Sequence, residues 1–390
     1  MIRHLITLIW NKKKAHTLLI VEMTASFLVL FGLSSLIIYN LGNYRQPLGF
    51  TYDRVWAINL GNNEDTVDVA AKTEAIRQRL QTYPGIEVVS RMSDNSPFSA
   101  YYNSSSVARG RTQIQAQYYT ADEQFAQVLS IPLRAGRWYR NVDSVGRYQP
   151  VIINRAAQAQ LFGTDDAVGK FLSPDTDSKP GWRVVGVIDR FKGRGEFSVD
   201  EPLMIELLNH RNQDHRTLLV RVKPGADASL EAQLVRDLTA MVNGWSVDVS
   251  YLSESRRSRL QFTLIPMLIA SVVSGFLLIN VALGLFGVLN VSITRRRGEI
   301  GLRRALGATT AHVSWQIVGE MWVLATFALV IGLLVAGQFP LLNAFGLRAG
   351  VYLLAMATSS LIVYALVTVC ALYPSRQAAT IQPAVALHDD

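Results

Sequence analysis

Glu299, Arg303 and Arg304 are the residues whose types and spacing best suit a chemical task. They lie in the run Arg295-Arg-Arg-Gly-Glu-Ile-Gly-Leu-Arg-Arg-Ala-Leu-Gly-Ala308. The task is charged contact with another protein, since nothing in the run makes or breaks bonds. Glu299 and Arg303 stand at i and i+4, where carboxylate and guanidinium meet on one helix face and support a short helix. Read as a helix from about Gly298, the stretch puts Ile300, Ala305 and Leu306 near one side. Glu299, Arg303 and Arg304 fall around the rest. Gly307 is a natural helix stop, and Gly301 permits close approach of another chain. A basic loop on anionic lipid headgroups is the other reading of this composition. Composition does not separate the two.

The remaining candidates for bond chemistry fail on spacing. Gly163-Thr-Asp-Asp-Ala-Val-Gly169-Lys170 has five residues between its glycines where a phosphate loop has four. Phe171 stands where the Mg²⁺-binding hydroxyl belongs. There is no H-E-x-x-H, no G-x-S-x-G and no cysteine pair; Cys370 is alone and sits in an apolar run. His4, His16, His210, His215, His312 and His388 form no ligand spacing, and His210 and His215, with Asp214 nearby, read as solvated loop residues. The chain therefore reads as no enzyme, with no catalytic residue, bound cofactor or metal of its own. Glu22 and Glu320 are the only acidic residues in or at the ends of the apolar runs. They read as structural or coupling groups that snorkel or pair with a nearby arginine, with a proton relay as the alternative.

The elements that must position these residues are long apolar runs. Charged residues are 17% of the chain, against about 25% in average soluble proteins. That balance excludes a disordered chain and a highly charged nucleic-acid binder. Residues 41–255 hold 24 Lys/Arg and 25 Asp/Glu, while the rest holds 14 and 5. The excess positive charge thus borders the apolar parts, where it sets topology. Four runs are long enough to cross a hydrocarbon layer of about 30 Å: residues 17–39, 260–294, 314–339 and 351–373, the last two ended by Pro340 and Pro374. The first lacks a following A-x-A site and is too long for a signal-peptide core, so it reads as an uncleaved span. The second has no Asp, Glu, Lys or Arg and is longer than a bilayer needs, so its helix should project outward around Arg256, Arg257 and Arg259. Arg3, Lys12, Lys13, Lys14 and the Arg295–Arg304 cluster place both ends and that loop in the cytoplasm. The large middle region then lies outside.

That middle region alternates strand and helix signals. Residues 55–60 read as strand, 67–82 as a helix with Val69, Ala70, Ile76 and Leu80 on its apolar face, and 86–90 as strand. The order recurs with strand 218–222, a Pro224-Gly225 turn, helix 228–242 and strand 247–252. Two such units flanking an insertion suggest a split α+β sheet with helices on one face. The insert, about 96–212, is strand-rich, with strands at 151–154 and 182–188 and a helix at 156–162. Tyr101, Tyr102, Tyr118, Tyr119, Trp138 and Tyr139 serve packing for the most part, with a partner surface as the other use.

At this point the chain resembles a known family. E-I-G-L-R-R-A-L-G-A is similar to the cytoplasmic motif of MacB/FtsX-type ABC transporter permeases. The ending from Tyr373-Pro-Ser-Arg to Ala386-Leu387 is similar to that family's P-x-R-x-A-A-x-x-x-P-x-x-A-L close. Phe125 through Leu133, Gly136-Arg137, Val151-Ile-Ile-Asn154, Leu161-Phe-Gly163, Gly169-Lys170 and Val184-Val-Gly-Val-Ile-Asp189 resemble its extracytoplasmic domain. The motifs are short; their shared order is specific and covers nearly the whole chain.

The resemblance implies a fold of one plus three transmembrane helices and an extracytoplasmic α+β domain of porter-like split βαβ units with a strand-rich insert. The expected division is a cytoplasmic segment 1–16, helix 17–41 and periplasmic domain 42–255, with halves at about 50–95 and 213–252 around insert 96–212. A long helix 256–293, coupling helix 294–313, helix 314–340, periplasmic loop 341–350, helix 351–373 and cytoplasmic tail 374–390 complete it. Glu299, Ile300, Gly301, Leu302, Arg303, Arg304, Ala305, Leu306, Gly307 and Ala308 would seat in an ATPase, and Glu22 and Glu320 would couple within the membrane. The resemblance implies no ATPase in this chain: separate ABC ATPase subunits would bind ATP and Mg. A second copy or paralogous permease would complete a dimer in the bacterial inner membrane. A periplasmic adaptor, an outer-membrane channel and membrane lipid are the further partners, and nucleic acid is not one. Export or release driven by movement outside the membrane is the implied function. A membrane scaffold that activates a cell-wall hydrolase, as FtsX-like proteins do, is the alternative.

Overall fold

The computed structural model describes residues 13–140, 142–143, 146–208, 215–242 and 244–379. Arg3, Lys12, His4, His210, Asp214 and the closing motif from Thr380 onward lie outside the described residues. The chain divides into two compact units: residues up to Gly42 together with those from Leu264, and Asn43–Thr263.

The first unit is helical. It holds most of α1 (Lys13–Tyr44), the larger part of α6 (Leu252–Arg295), α7 (Arg297–Ala305), α8 (Thr310–Ala336), the one-turn α9 (Gln338–Leu341) and α10 (Ala349–Ala379). Four of these helices are long and apolar enough to cross a membrane. Their shared core includes Phe27, Phe31, Leu285, Leu324 and Val367, while large apolar side chains such as Leu268, Phe276 and Leu283 point outward. That inversion suits a lipid surround, where helices associate through small residues and short polar contacts. Phe27 is seated where Gly332 has no side chain; a Cβ there would come within 2.4 Å of its ring. Thr24 Oγ1 donates to Ala328 O at 3.1 Å in the same seam.

Two expected helix ends move. The third run ends as helix at Ala336, with Gly337 N donating to Leu333 O, and Pro340 lies inside α9. Pro374 does not end the fourth, because α10 continues through it to Ala379. A proline removes one helix donor, and membrane helices tolerate this where side chains supply partners. The carbonyl freed here is that of Cys370; the hydroxyl bonds nearby go elsewhere, Ser375 Oγ donating to Leu372 O at 3.0 Å and Ser314 Oγ to Ser375 O at 3.2 Å, which ties this stretch of α10 to α8.

The second unit is built on one sheet. Its strands are β1 (Val55–Gly61), β2 (Ile86–Met92), β3 (Ser104–Arg109), β4 (Thr112–Ala121), β5 (Leu133–Gly136), β6 (Gln149–Asn154), β7 (Phe171–Leu172), β8 (Trp182–Ile188), β9 (Leu203–Leu207), β10 (Thr217–Val222) and β11 (Ser246–Tyr251). Its helices are α2 (Val69–Gln81), α3 (Phe125–Leu129), α4 (Arg155–Phe162) and α5 (Ala228–Met241). The order is β11-β1-β10-β2-β4-β9-β6-β8-β5, with β3 on β4 and β7 on β8. The two flanking strand–helix–strand units interleave antiparallel, β1 between β10 and β11, and β10 between β1 and β2. The insert joins them through one residue pair, Met92 with Ala121.

Alternation along the strands feeds two cores. Trp56, Ile58, Leu60, Leu218 and Val220 pack with Ile76 and Leu80 of α2 and Leu234 and Leu238 of α5. Val55, Ala57 and Leu219 face the other way, onto Phe125, Val128 and Leu129 of α3. The helices of the two flanking units, α2 and α5, thus share one face, as expected, while the other face is covered by α3 of the insert, five residues long and easily missed in the sequence. Local caps fix the helix starts: Asp227 accepts from Ser229 N and Leu230 N, and Asn154 from Ala157 N. Of the apolar face expected of α2, Ile76 and Leu80 are buried in this core and Val69 packs against it, with Thr73 joining them and Ala70 half-buried.

Candidate functional site

The site forms at one end of the helical unit, where α6, α7 and α8 meet. Arg296, between α6 and α7, donates through Nη1 to both carboxylate oxygens of Glu320 on α8, at 3.0 and 3.1 Å. Both side chains are largely covered, 24% and 18% exposed. A paired charge of this kind gives little net stability but is expensive to break from one side. It clamps the start of α7 to α8. Beneath it Ile300, 7% exposed, packs with Val313, Ile293 and Ile317.

α7 ends by local rules. Ala308 N donates to Arg303 O at 3.0 Å and Gly307 N to Arg304 O at 3.1 Å, with Gly307 at φ +96. This is the paired-bond helix stop that favours glycine. Thr309 then caps α8, accepting from His312 N. A turn of four residues thus reverses the chain without free play.

What α7 presents outward follows from its period. Glu299, Leu302, Arg303 and Leu306 fall at i, i+3, i+4 and i+7, one face of a helix. Leu302 is 52% exposed and Leu306 80%. Glu299 and Arg303 pair at 2.5 Å beside them, and Arg303 also donates to Gln316 of α8 at 2.7 Å. The expected grouping of Ile300, Ala305 and Leu306 on one side is corrected. Five residues turn a helix by about 140°, so Ile300 faces the bundle with Gly301 while Ala305 and Leu306 face out. The site is an apolar pair flanked by a carboxylate and a guanidinium, a form suited to a partner's groove.

Arg296 and Gln316 are the site residues that sequence reasoning missed. A partner for Glu320 was expected, but the choice among five arginines needed the fold. Glu22 lies apart from this clamp: on α1, its Oε2 lies 3.1 Å from where a Gly284 Cβ would stand on α6. In the second unit Lys170 pairs with Asp165 at 3.5 Å, and Tyr119 and Tyr139 are buried while Tyr101 and Tyr102 are exposed. Among the described residues no three His, Cys, Asp or Glu side chains are grouped to hold a metal ion.

Four helices are long and apolar enough to cross a membrane, a large folded domain lies between the first and second, and that domain's match to a periplasmic family model makes this a membrane protein with a large extracytoplasmic domain. Residues 23–237 match the MacB-like periplasmic core domain and residues 271–383 the FtsX-like permease C-terminal model. The chain belongs to the MacB/FtsX family of ABC transporter permeases, whose members act with ABC ATPase partners. It is 27% identical over 298 residues to the macrolide export ATP-binding/permease protein MacB 1/2 of Paracoccus denitrificans, covering 73% of this chain and 43% of that protein. It is 27% identical over 292 residues to MacB of Hahella chejuensis, covering 72% and 40%. The chain therefore spans about two fifths of the length of these relatives. The crystal structure of the periplasmic region of MacB from Actinobacillus actinomycetemcomitans is similar at a TM-score of 0.39 and 14% identity, covering 53% of this chain and 93% of that one.

Proposed function

We propose that the chain is a permease subunit that couples ATP hydrolysis by a separate ABC ATPase to movement of its extracytoplasmic domain. The movement drives export or release of a substrate from the periplasm or membrane. The observation that carries this reading is the face of α7, two exposed leucines beside an exposed ion pair, held to α8 by Arg296–Glu320 and Arg303–Gln316 and packed through Ile300 on Ile293 of α6. On anionic lipid headgroups the Glu299 carboxylate would be repelled and would serve only to support the helix through Arg303. Seated in a protein groove it can also meet a partner's charge, and the clamp would pass a push into α6 and α8 instead of bending the turn.

In this reading the Arg-rich hairpin and both chain ends face the cytoplasm of a bacterium, the sheet domain faces the periplasm, and a second permease subunit completes the assembly. ATP and Mg belong to the ATPase. Glu22 and Glu320 act within the membrane as parts of the helix packing. The test is charge reversal: Glu299→Arg or Arg303→Glu should leave expression and membrane insertion intact while abolishing the dependence of function on ATP turnover. Unchanged coupling in both variants, at normal expression, removes the assignment.

A further inference from the structure

Residues 189–202 cross from β8 to β9 without regular structure, a length at which connections usually have a task. Phe191, 2% exposed, roots the segment in the core, with its ring 4.6 Å from that of Phe50 and 5.3 Å from that of Tyr119. Lys192 follows it and is 1% exposed. Lysines are almost never buried this far without partners. Its Nζ donates to Asn43 O at 2.8 Å and to Glu196 O. Asn43 is the penultimate residue of α1, so that carbonyl is one of the last four that the helix leaves without an internal partner. A cation there also meets the negative end of the helix dipole. Asn43 Nδ2 donates back to Phe197 O at 3.1 Å, and the Tyr44 and Phe197 rings lie 5.5 Å apart.

The same segment holds the start of α6. Glu196, whose side chain is 8% exposed, accepts from Arg256 Nε, and the Arg256 guanidinium lies 4.8 Å from the centre of the Tyr52 ring. Arg259 Nε donates to Arg194 O at 3.2 Å. All these residues belong to the second unit.

The geometry points to a clasp: residues 191–197 fix the end of α1 and the first turns of α6 to the sheet domain, with Lys192 and Glu196 as the positioning residues. Its use in passing movement outward rests on the function proposed above; the clasp as such does not. Hydrogen exchange on the full chain in lipid nanodiscs tests it. Lys192→Met should speed exchange of amides at 38–46 by about tenfold or more, with a smaller change at 253–260. Glu196→Gln should give the reverse pattern. Amides of β1 and β10 should stay within about twofold of the parent in both. Exchange unchanged at both helix ends, or raised equally through β1 and β10 in the two variants, overturns the clasp. Failure of ATP coupling in the parent protein would sink the proposed function and leave this exchange pattern standing.

Discussion

Glu320 is one of only two carboxylates in the apolar runs, and its partner explains why it is tolerated there. Removing it strands Arg296 beneath α7. Glu320→Ala should destabilise the protein by somewhat less than the roughly 3–5 kcal/mol of a fully buried pair, since both side chains keep partial access to solvent. Arg296→Met with Glu320→Leu should recover most of that loss, measured by thermal unfolding in detergent. In the sheet domain two carboxylates give opposite pH signatures. The Lys72 ammonium, then the Trp245 indole and the Val67 amide, hold Asp65 down at about 2. Its contribution is therefore present above the ordinary value of 3.8 and is lost as pH falls toward 2. Burial pushes Asp122 up to about 6, against donation from Ser90 Oγ and Arg91 N. Its contribution is present below 3.8 and is lost as pH rises through 6. Melting temperature against pH should show Asp65→Asn destabilising at pH 7 with the gap closing in acid. Asp122→Asn should instead flatten the fall between pH 4 and 6. A parallel shift of either curve at all pH values would contradict these assignments.

The α7–α8 hairpin is where element geometry makes the site. Gly307→Ala places a Cβ at φ +96 and should cost about 1 kcal/mol or more. Thr309→Ala should cost about 1 kcal/mol through the lost cap. Both should show first as faster hydrogen exchange at 306–313, with the rest of α8 unaffected. The existence of this helix, its stop at Gly307 and the Glu299–Arg303 pair were all legible, because each follows from spacing within one turn. The direction each side chain faces was not: Ile300 and Leu306 are equally apolar, and only the bundle decides which is covered. Proline shows the same limit. Pro374 ends a helix by local rules, yet α10 runs on through it to Ala379.

At the scale of the molecule, long uninterrupted runs were the most legible feature. The uncharged stretch 260–294 implied a helix longer than a bilayer, and α6 runs 44 residues, roughly 66 Å at 1.5 Å per residue. The flanking strand–helix–strand units were also legible from alternation. What was hidden is long-range pairing: one sheet of eleven strands depends on a single Met92–Ala121 pair and on β10 threading between β1 and β2. Driving such a molecule between two arrangements from 1:99 to 99:1 takes about 5.5 kcal/mol of differential binding. In the function proposed above, ATP-driven closure of a partner ATPase pair would supply that only if the α7 face stays seated.

Seating is measured most directly by labelling Leu306→Cys, at an 80% exposed position, with a membrane-impermeant maleimide after Cys370→Ser. Val142→Cys, 74% exposed in the sheet domain, serves as the outside control. In intact cells the control should react and position 306 should not. After permeabilisation position 306 should react, and added ATPase should slow it. Reaction of position 306 in intact cells at the rate of the control would contradict the account.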